Sequence, residues 1–332
     1  MKLFTLNIKF MIYYTIFLSV IIVLSSTNIF IIWISIELNL FSFILLLVNN
    51  STTNEIEASI NYFLFQALGS ILFLTARIVL LNTYWLSKVS SILLIIAICL
   101  KLGIAPCHYW LPTTIEKIRW INCLILSTWQ KIAPLFIIAY IIKPNFKLIG
   151  IIVCLNALTG RIIGLSQSNL KKIIAYSSIT HIRWAIRGIT INIPCLSIAY
   201  FILYRVISIP LFLTFYQLKI ISIHEPWNKS KISLRSQISI TIILLSLRGL
   251  PPLTGFIPKL LIISILIDHS KIITSILLSS SLLSLFFYLN VTLNIIRSSK
   301  TNNYTKKSKN ILNFLSILTS TSLLGLIIII LK

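Results

Sequence analysis

Acidic side chains are scarce in this sequence. Its 332 residues include 6 aspartates and glutamates against 29 lysines and arginines, a formal net charge of +23. In a soluble protein this imbalance would indicate a nucleic-acid partner. Here only 11% of the residues are charged, 57% are hydrophobic and the mean hydropathy is +0.98, which excludes a soluble domain and indicates a multi-spanning membrane protein. Many lysines cluster at span ends, where they contact phospholipid head groups, so we expect no nucleic-acid partner.

Motifs for metal, disulfide and nucleotide chemistry are also missing. The five cysteines are scattered through or beside apolar segments and form no CxxC pair. This spacing predicts small buried hydrophobic residues rather than metal ligands or disulfides. The sequence contains no phosphate-cradling glycine loop, dinucleotide fingerprint or nucleophile triad. We therefore expect the chain to carry no flavin, iron–sulfur or NADH chemistry by itself.

Apolar stretches fill nearly the whole length of the chain. At about 20 residues per span they predict an all-α, polytopic membrane helix bundle of about ten or eleven transmembrane helices. We expect one integral membrane domain over residues 1–332, without a cleavable targeting segment. Residues 300–309 are predicted to form a solvated loop before a last span at 311–331. Glu55 and Glu57 fall in a polar joint and are predicted to be solvated.

Four ionisable residues lie inside segments that are otherwise apolar: Glu37, Lys101, Lys131 and Lys259. A charge at the centre of a membrane helix costs about 2.5–3.5 kcal/mol on insertion scales, so such residues persist where they pair or face water. Charged side chains in successive helices can together form a proton or ion path. Glu37 can share one polar helical face with Ser35, Asn39 and Ser42. It is predicted to titrate, with a helix–helix contact as the alternative.

Each of the three lysines lies beside residues that interrupt helices. Glycine and proline follow Lys101, and a proline follows Lys131. Three prolines and two glycines forbid a regular helix across residues 249–258, just before Lys259. Backbone groups freed at membrane depth survive only beside protein or water, and transporters build ion sites from such discontinuous helices. Snorkelling of Lys131 and Lys259 from span ends is the alternative.

Six stretches of the sequence carry a family resemblance, in family order: residues 33–40, 57–63, 101–110, 128–134, 175–181 and 249–259. Together they resemble the subunit 2 family of mitochondrial NADH:ubiquinone oxidoreductase (respiratory complex I), in its shortened animal form. The resemblance implies an antiporter-like core over about residues 25–300 with two broken helices. It also implies the mitochondrial inner membrane and neighbouring membrane-arm subunits as partners. NADH, FMN, iron–sulfur clusters and ubiquinone would be handled by other subunits.

The resemblance also implies a set of proton-translocation residues: Glu37, Lys101, Lys131, Lys259, His108 and His181. Glu37 would pair with Lys101 on a broken helix. Lys131 would be the central lysine of a hydrated axis and Lys259 the distal lysine on the second broken helix, with the two histidines near that axis. Opening and closing of the Glu37–Lys101 pair would change how tightly Lys101 holds its proton. Protons would then move through Lys131 and waters toward Lys259.

Two other functions share these features. A stand-alone cation/proton antiporter would also have buried lysines and broken helices. Chain length and the missing targeting segment favour the complex I subunit over it. In a purely structural membrane subunit, the charges would only lock helices together. A pumping measurement separates that function from the first.

Arginines occur where the family pattern calls for small or neutral residues, or fall within apolar spans: Arg77, Arg119, Arg161, Arg183, Arg187 and Arg248. With six acids in the chain, none has an evident acidic partner. Methionine is nearly absent, with two, while isoleucine is abundant. One hypothesis explains both observations, namely that the printed sequence was translated with the wrong genetic code. AUA codons would then appear as isoleucine in place of methionine, and AGA codons as arginine in place of serine. The alternative is that the arginines are real and face a cavity.

Overall fold

The computed structural model describes residues 2–49, 52–82, 87–140, 146–190, 193–218, 220, 222, 234–250 and 253–299. These residues form thirteen α-helices and one 3-10 turn, and their only β pairing is an isolated bridge between Asn169 and Ser222. The predicted all-α class is confirmed. The predicted loop at 300–309 and last span at 311–331 lie outside the described residues.

The chain divides into two compact units, and the first covers Met1–Phe146. Its elements are α1 Lys2–Ser25, α2 Ile29–Val48, α3 Thr53–Asn82, α4 Ser87–Leu102, α5 Trp110–Lys117, α6 Trp120–Thr128, the 3-10 turn Trp129–Lys131 and α7 Ile132–Tyr140. Helix α3 packs against α2, α4 and α5, and α1 packs against α2. Because α3 contacts both α4 and α5, it can hold the backbone on either side of the interval between them.

The second unit covers Lys147–Lys332. Its described helices are α8 Phe146–Leu165, α9 Leu170–Thr190, α10 Pro194–Leu218, α11 Leu234–Arg248, α12 Ile257–His269 and α13 Lys271–Ser299. Helix α9 packs against α10 and α12, and α11 packs against α10 and α13. All residues of α9 except Lys172 are buried, so this helix runs through the interior of the unit.

Seven helical segments are long and apolar enough to cross a membrane: Asn7–Ser25, Ile29–Val48, Thr53–Leu80, Trp120–Ala139, Leu148–Leu165, Pro194–Leu218 and Lys271–Ile295. Helix α9, at 21 residues, is also long enough, about 30 Å, but carries four lysines and arginines. Helix α9 and the two interrupted pairs, α4–α5 and α11–α12, add three spans to these seven. The described residues thus contain ten spans, in agreement with the ten or eleven predicted. The protein is a multi-pass membrane helix bundle.

Both predicted broken helices are present. Helix α4 ends at Leu102 and is followed by Gly103 with a φ of 63°, and α11 ends at Arg248 and is followed by Gly249 with a φ of 72°. A left-handed residue directly after a helix end is the position that glycine occupies at least cost. The chain becomes helical again at Trp110 and at Ile257. A third interruption is the 3-10 turn at Trp129–Lys131.

The polar joint before α3 differs from its prediction. Glu55 is buried, so the expectation that it is solvated is wrong. Its carboxylate accepts the backbone N–H of Thr52 at 3.3 Å, as a helix cap, and forms an ion pair with Arg119 at 2.9 Å. Arg119 therefore has an acidic partner, contrary to expectation. Glu57 is exposed as predicted and pairs with Lys117.

Candidate functional site

The first interruption is held by side chains that donate to backbone carbonyls in the last turn of α4. The indole Nε1 of Trp110 donates to the carbonyl of Leu100 at 3.0 Å, and Gln66 Nε2 donates to the carbonyl of Lys101 at 3.3 Å. The buried Lys101 returns a bond from its Nζ to the backbone carbonyl of Gln66 at 3.5 Å. Helix α3 is therefore hydrogen-bonded to the end of α4 through both the backbone and the side chain of Lys101.

Glu37 lies on α2, half-buried, within electrostatic range of Lys101. Among the described side chains no ion pair within 4.0 Å joins the two residues, so the pair is in a separated arrangement. The predicted polar face is present, with Ser35, Asn39 and Ser42 buried beside it. The two serine hydroxyls donate back to carbonyls of their own helix, which leaves Glu37 and Asn39 as the groups available to other elements.

Lys131 is the last residue of the 3-10 turn, in the interior of the span Trp120–Ala139, and is 2% exposed. A snorkelling lysine keeps its ammonium in water, so this burial argues against snorkelling. Its neighbour Gln130 donates from Nε2 to Asn39 Oδ1 at 2.8 Å and accepts from the hydroxyl of Tyr62 at 3.4 Å. A chain of hydrogen bonds thus links the turn of Lys131 to α2, two residues after Glu37.

His108 lies in the loop between α4 and α5. It is buried, with Nδ1 3.3 Å from the carbonyl of Pro106 and its ring stacked on Tyr109 at 4.3 Å between centroids. Its Nε2 is buried and has no hydrogen-bond partner among the residues that the structure describes. The contact with the Pro106 carbonyl and the stacking on Tyr109 thus hold the imidazole through Nδ1 and one face of the ring.

The second unit gathers two of the predicted site residues. His181, buried on α9, has Nδ1 2.8 Å from the hydroxyl of Tyr200 on α10, and its ring stacks on Tyr204 at 4.2 Å. Lys259 is buried in the first turn of α12, and its Nζ donates to the backbone carbonyl of Arg248, the last residue of α11. Lys259 and His181 are within electrostatic range of each other. Lys259 therefore bridges the second interruption much as Gln66 holds the first.

Sequence reasoning did not identify several polar partners in these sites: Gln66, Tyr62, Gln130, Tyr200 and Tyr204. A glutamine within an apolar span is itself a signal, since it must find a partner away from water. That signal was available at positions 66 and 130. The partners themselves were not available, because the contacts join residues 35 and 91 positions apart.

A bundle with two interrupted membrane helices, each carrying a buried lysine at the interruption, defines an antiporter-like membrane subunit. Residues 26–286 match the family model described as NADH:quinone oxidoreductase/Mrp antiporter, TM. The chain has the same fold as a chain of respiratory complex I from Thermus thermophilus with bound aureothin, at a TM-score of 0.82 and 19% identity over 96% of this chain and 78% of that one. A chain of the Mrp complex from Dietzia sp. DQ12-45-1b matches at a TM-score of 0.75 and 17% identity, over 90% and 62%.

Sequence relatives narrow the class further. NADH-ubiquinone oxidoreductase chain 2 of Lumbricus terrestris is 40% identical over 83% of this chain and 83% of the relative. The Mus musculus chain of that name is 37% identical, again over 83% of each. The chain belongs to the NADH-ubiquinone oxidoreductase chain 2 family and is a subunit of an NADH:quinone oxidoreductase.

Proposed function

We propose that this chain is a core membrane-arm subunit of respiratory complex I in the mitochondrial inner membrane. It contributes to proton translocation coupled to electron transfer from NADH to ubiquinone. The observation that carries the proposal is the burial of Lys101, Lys131 and Lys259, each at an interruption of a membrane helix. Buried amines beside irregular backbone are suited to taking up and releasing protons within a membrane.

In the first unit, the separated Glu37–Lys101 pair is one of two positions of an electrostatic switch. When the carboxylate approaches, it stabilises the protonated amine, and when it withdraws, the buried amine loses that support. Lys101 can then pass its proton toward Lys131. The hydrogen-bonded chain of Asn39, Gln130 and Tyr62 supports this step, because it fixes the turn of Lys131 against the helix that carries Glu37. Water supplies the links that side chains do not.

In the second unit, Lys259 is the distal proton acceptor and His181 its relay. The hydroxyl of Tyr200 holds His181 Nδ1, which leaves Nε2 as the nitrogen that exchanges protons. His108 has the corresponding role near Lys101, since its Nε2 has no described partner. Each histidine is thus oriented through one nitrogen and reactive through the other.

The redox chemistry belongs to other subunits in this proposal. NADH, FMN, iron–sulfur clusters and ubiquinone are handled there, and this chain holds no redox centre. Its partners are neighbouring antiporter-like and other membrane-arm subunits, with phospholipids around them. Relatives named NADH-ubiquinone oxidoreductase chain 2 support this assignment over a stand-alone antiporter.

Replacement of Lys131 by methionine tests proton translocation against a purely structural role. Lys131→Met keeps the length of the side chain and removes its proton site, so we expect the complex to assemble but to lose proton pumping. The measurement is proton uptake per NADH oxidised in reconstituted vesicles, with assembly followed by native electrophoresis. The control is Lys88→Met, the same change at an exposed lysine, which we expect to pump normally. Full pumping by an assembled Lys131→Met complex would instead support the scaffold.

A further inference from the structure

Five arginines are buried within the helices of the second unit. They are distributed over α8, α9, α10 and α11: Arg161, Arg183, Arg187, Arg205 and Arg248. None is more than 7% exposed, and Arg183 is fully buried. Arg205 lies in an apolar span and joins the arginines that the sequence marks as unusual. Unless neutralised, each brings a permanent positive charge into the interior of a membrane bundle.

The second unit has too few acids to neutralise these charges. Residues 147–332 contain two, Glu225 and Asp268, against five buried guanidinium groups. The hydrogen-bond partners described for Arg183 and Arg187 are neutral. Arg183 donates to the hydroxyl of Ser280 at 2.6 Å, and Arg187 donates to that of Ser270 at 2.6 Å. Even if both acids were paired, three of the five charges would have no acid of this unit to neutralise them.

Four of the guanidinium groups also have buried nitrogens without hydrogen-bond partners among the described residues. These are Nε and Nη1 of Arg161, Nε and Nη2 of Arg183, Nε of Arg187, and all three nitrogens of Arg205. A guanidinium has five N–H donors and no acceptor, so each unfilled position is a lost interaction with water. Arg205 instead lies over the rings of Phe201 and Tyr204, at 4.2 and 5.0 Å from their centroids.

Like charges are also close together around the site. Arg161, Arg183 and Arg248 are within electrostatic range of one another and of Lys259. Permanent cations repel each other at low dielectric, and they oppose the arrival of another positive charge at Lys259. Arginine at these positions is therefore unfavourable both for the fold of this unit and for the role proposed for Lys259.

Serine at the same five positions would avoid the unneutralised charges, the unfilled N–H donors and the repulsion between like charges. A buried serine in a helix donates to the carbonyl three or four residues earlier, as Ser177 does to Ile174 and Ser280 does to Leu277. This partner belongs to the same helix, so it is present wherever the helix is regular. The small side chain also leaves room for water beside His181 and Lys259. By contrast, Arg119 is half exposed and paired with Glu55, and the argument does not extend to it.

We infer that the working protein carries serine at positions 161, 183, 187, 205 and 248, and that the hydroxyls at 161, 183 and 248 extend the polar lining around His181 and Lys259. The codons concerned would be AGA or AGG, read as serine by the translation system of this organelle. The scarcity of methionine beside abundant isoleucine agrees with a codon assignment that differs from the one behind the printed sequence. The part that the hydroxyls take in proton transfer depends on the proposed function, whereas the identity of the residues does not.

Mass spectrometry of the native chain tests the identity directly. Chymotrypsin cuts after aromatic residues, so residues 177–184 form one peptide that contains position 183, and residues 205–212 form another that contains position 205. We expect fragment masses that assign serine at both positions, and serine at 161, 187 and 248 in the longer peptides. Arginine at 183 or 205 in the mature chain would overturn the inference and would instead require a bound anion. The measurement does not involve proton pumping, so its result is independent of the proposed function.

Discussion

Gln66 offers a direct test of how the first interruption is maintained. Its side-chain amide donates to the carbonyl of Lys101 at 3.3 Å, and both residues are buried. Methionine has nearly the same volume and shape but no N–H. Gln66→Met therefore removes this donor from a carbonyl freed by the helix break and leaves the packing of α3 against α4 largely unchanged.

The expected size of the effect follows from the burial of that carbonyl. Leaving a buried acceptor without a donor costs about 1–3 kcal/mol. Since about 1.4 kcal/mol corresponds to a factor of ten, this shifts the equilibrium constant between the described arrangement and its alternatives by roughly 5- to 150-fold. We expect proton pumping per NADH oxidised to fall, by at most that factor, in reconstituted complex with assembly retained, because Lys101 loses its fixed position.

The matched control is Gln167→Met. The amide of Gln167 bonds only to the exposed hydroxyl of Ser166 among the described contacts, so the same chemical change there should leave pumping unaltered. If Gln66→Met pumps as well as Gln167→Met, the amide does not hold the break, and the reasoning that freed carbonyls at membrane depth need protein partners fails for this helix.

Three further substitutions test other parts of the site. Lys101→Met should abolish pumping in an assembled complex, whereas Lys88→Met at the exposed start of the same helix should not, as measured by acidification of vesicles during NADH oxidation. Tyr200→Phe removes the hydroxyl bound to His181 Nδ1, worth about 1 kcal/mol, and should slow pumping about fivefold; an unchanged rate would show that the hydroxyl does not orient the ring. Glu55→Gln removes the charge of a buried carboxylate that pairs with a half-exposed arginine and caps α3, and should cost about 1–3 kcal/mol, seen as a drop in thermal stability with pumping retained.

The interruptions of the membrane helices could be predicted from sequence because their causes are local. Gly103 and Gly249 adopt the left-handed conformation directly after helix ends, which requires no knowledge of the rest of the fold. The lysines beside these breaks followed from the same reasoning. The ends of the helices were also close to prediction, since the expected irregular stretch at 249–258 corresponds to the interval between α11 and α12.

The contacts that complete the site depend on packing between distant parts of the chain. Glu55 was expected in solvent because its partner Arg119 lies 64 residues later, beyond any local pattern. Arg205 lies within an apolar span, so its position carried the same signal as those of Arg161 and Arg187, but its contacts with Phe201 and Tyr204 could not be predicted. Its isolation became evident only once the helix packing showed which nitrogens had no partner. Local backbone chemistry was thus enough to predict the helix breaks and their lysines. The side-chain contacts around them depend on packing between distant residues.

The 3-10 turn at Trp129–Lys131 has a consequence for the direction in which Lys131 points. A 3-10 turn advances about 120° per residue around the helix axis, whereas an α-helix advances about 100°. Over three residues, tightening or relaxing this turn rotates Lys131 by about 60° relative to α6, with a change in length of only about 1.5 Å. In the proposed role of Lys131 as central proton carrier, its amine could therefore turn between two sides of its span while the flanking helices stay nearly in place.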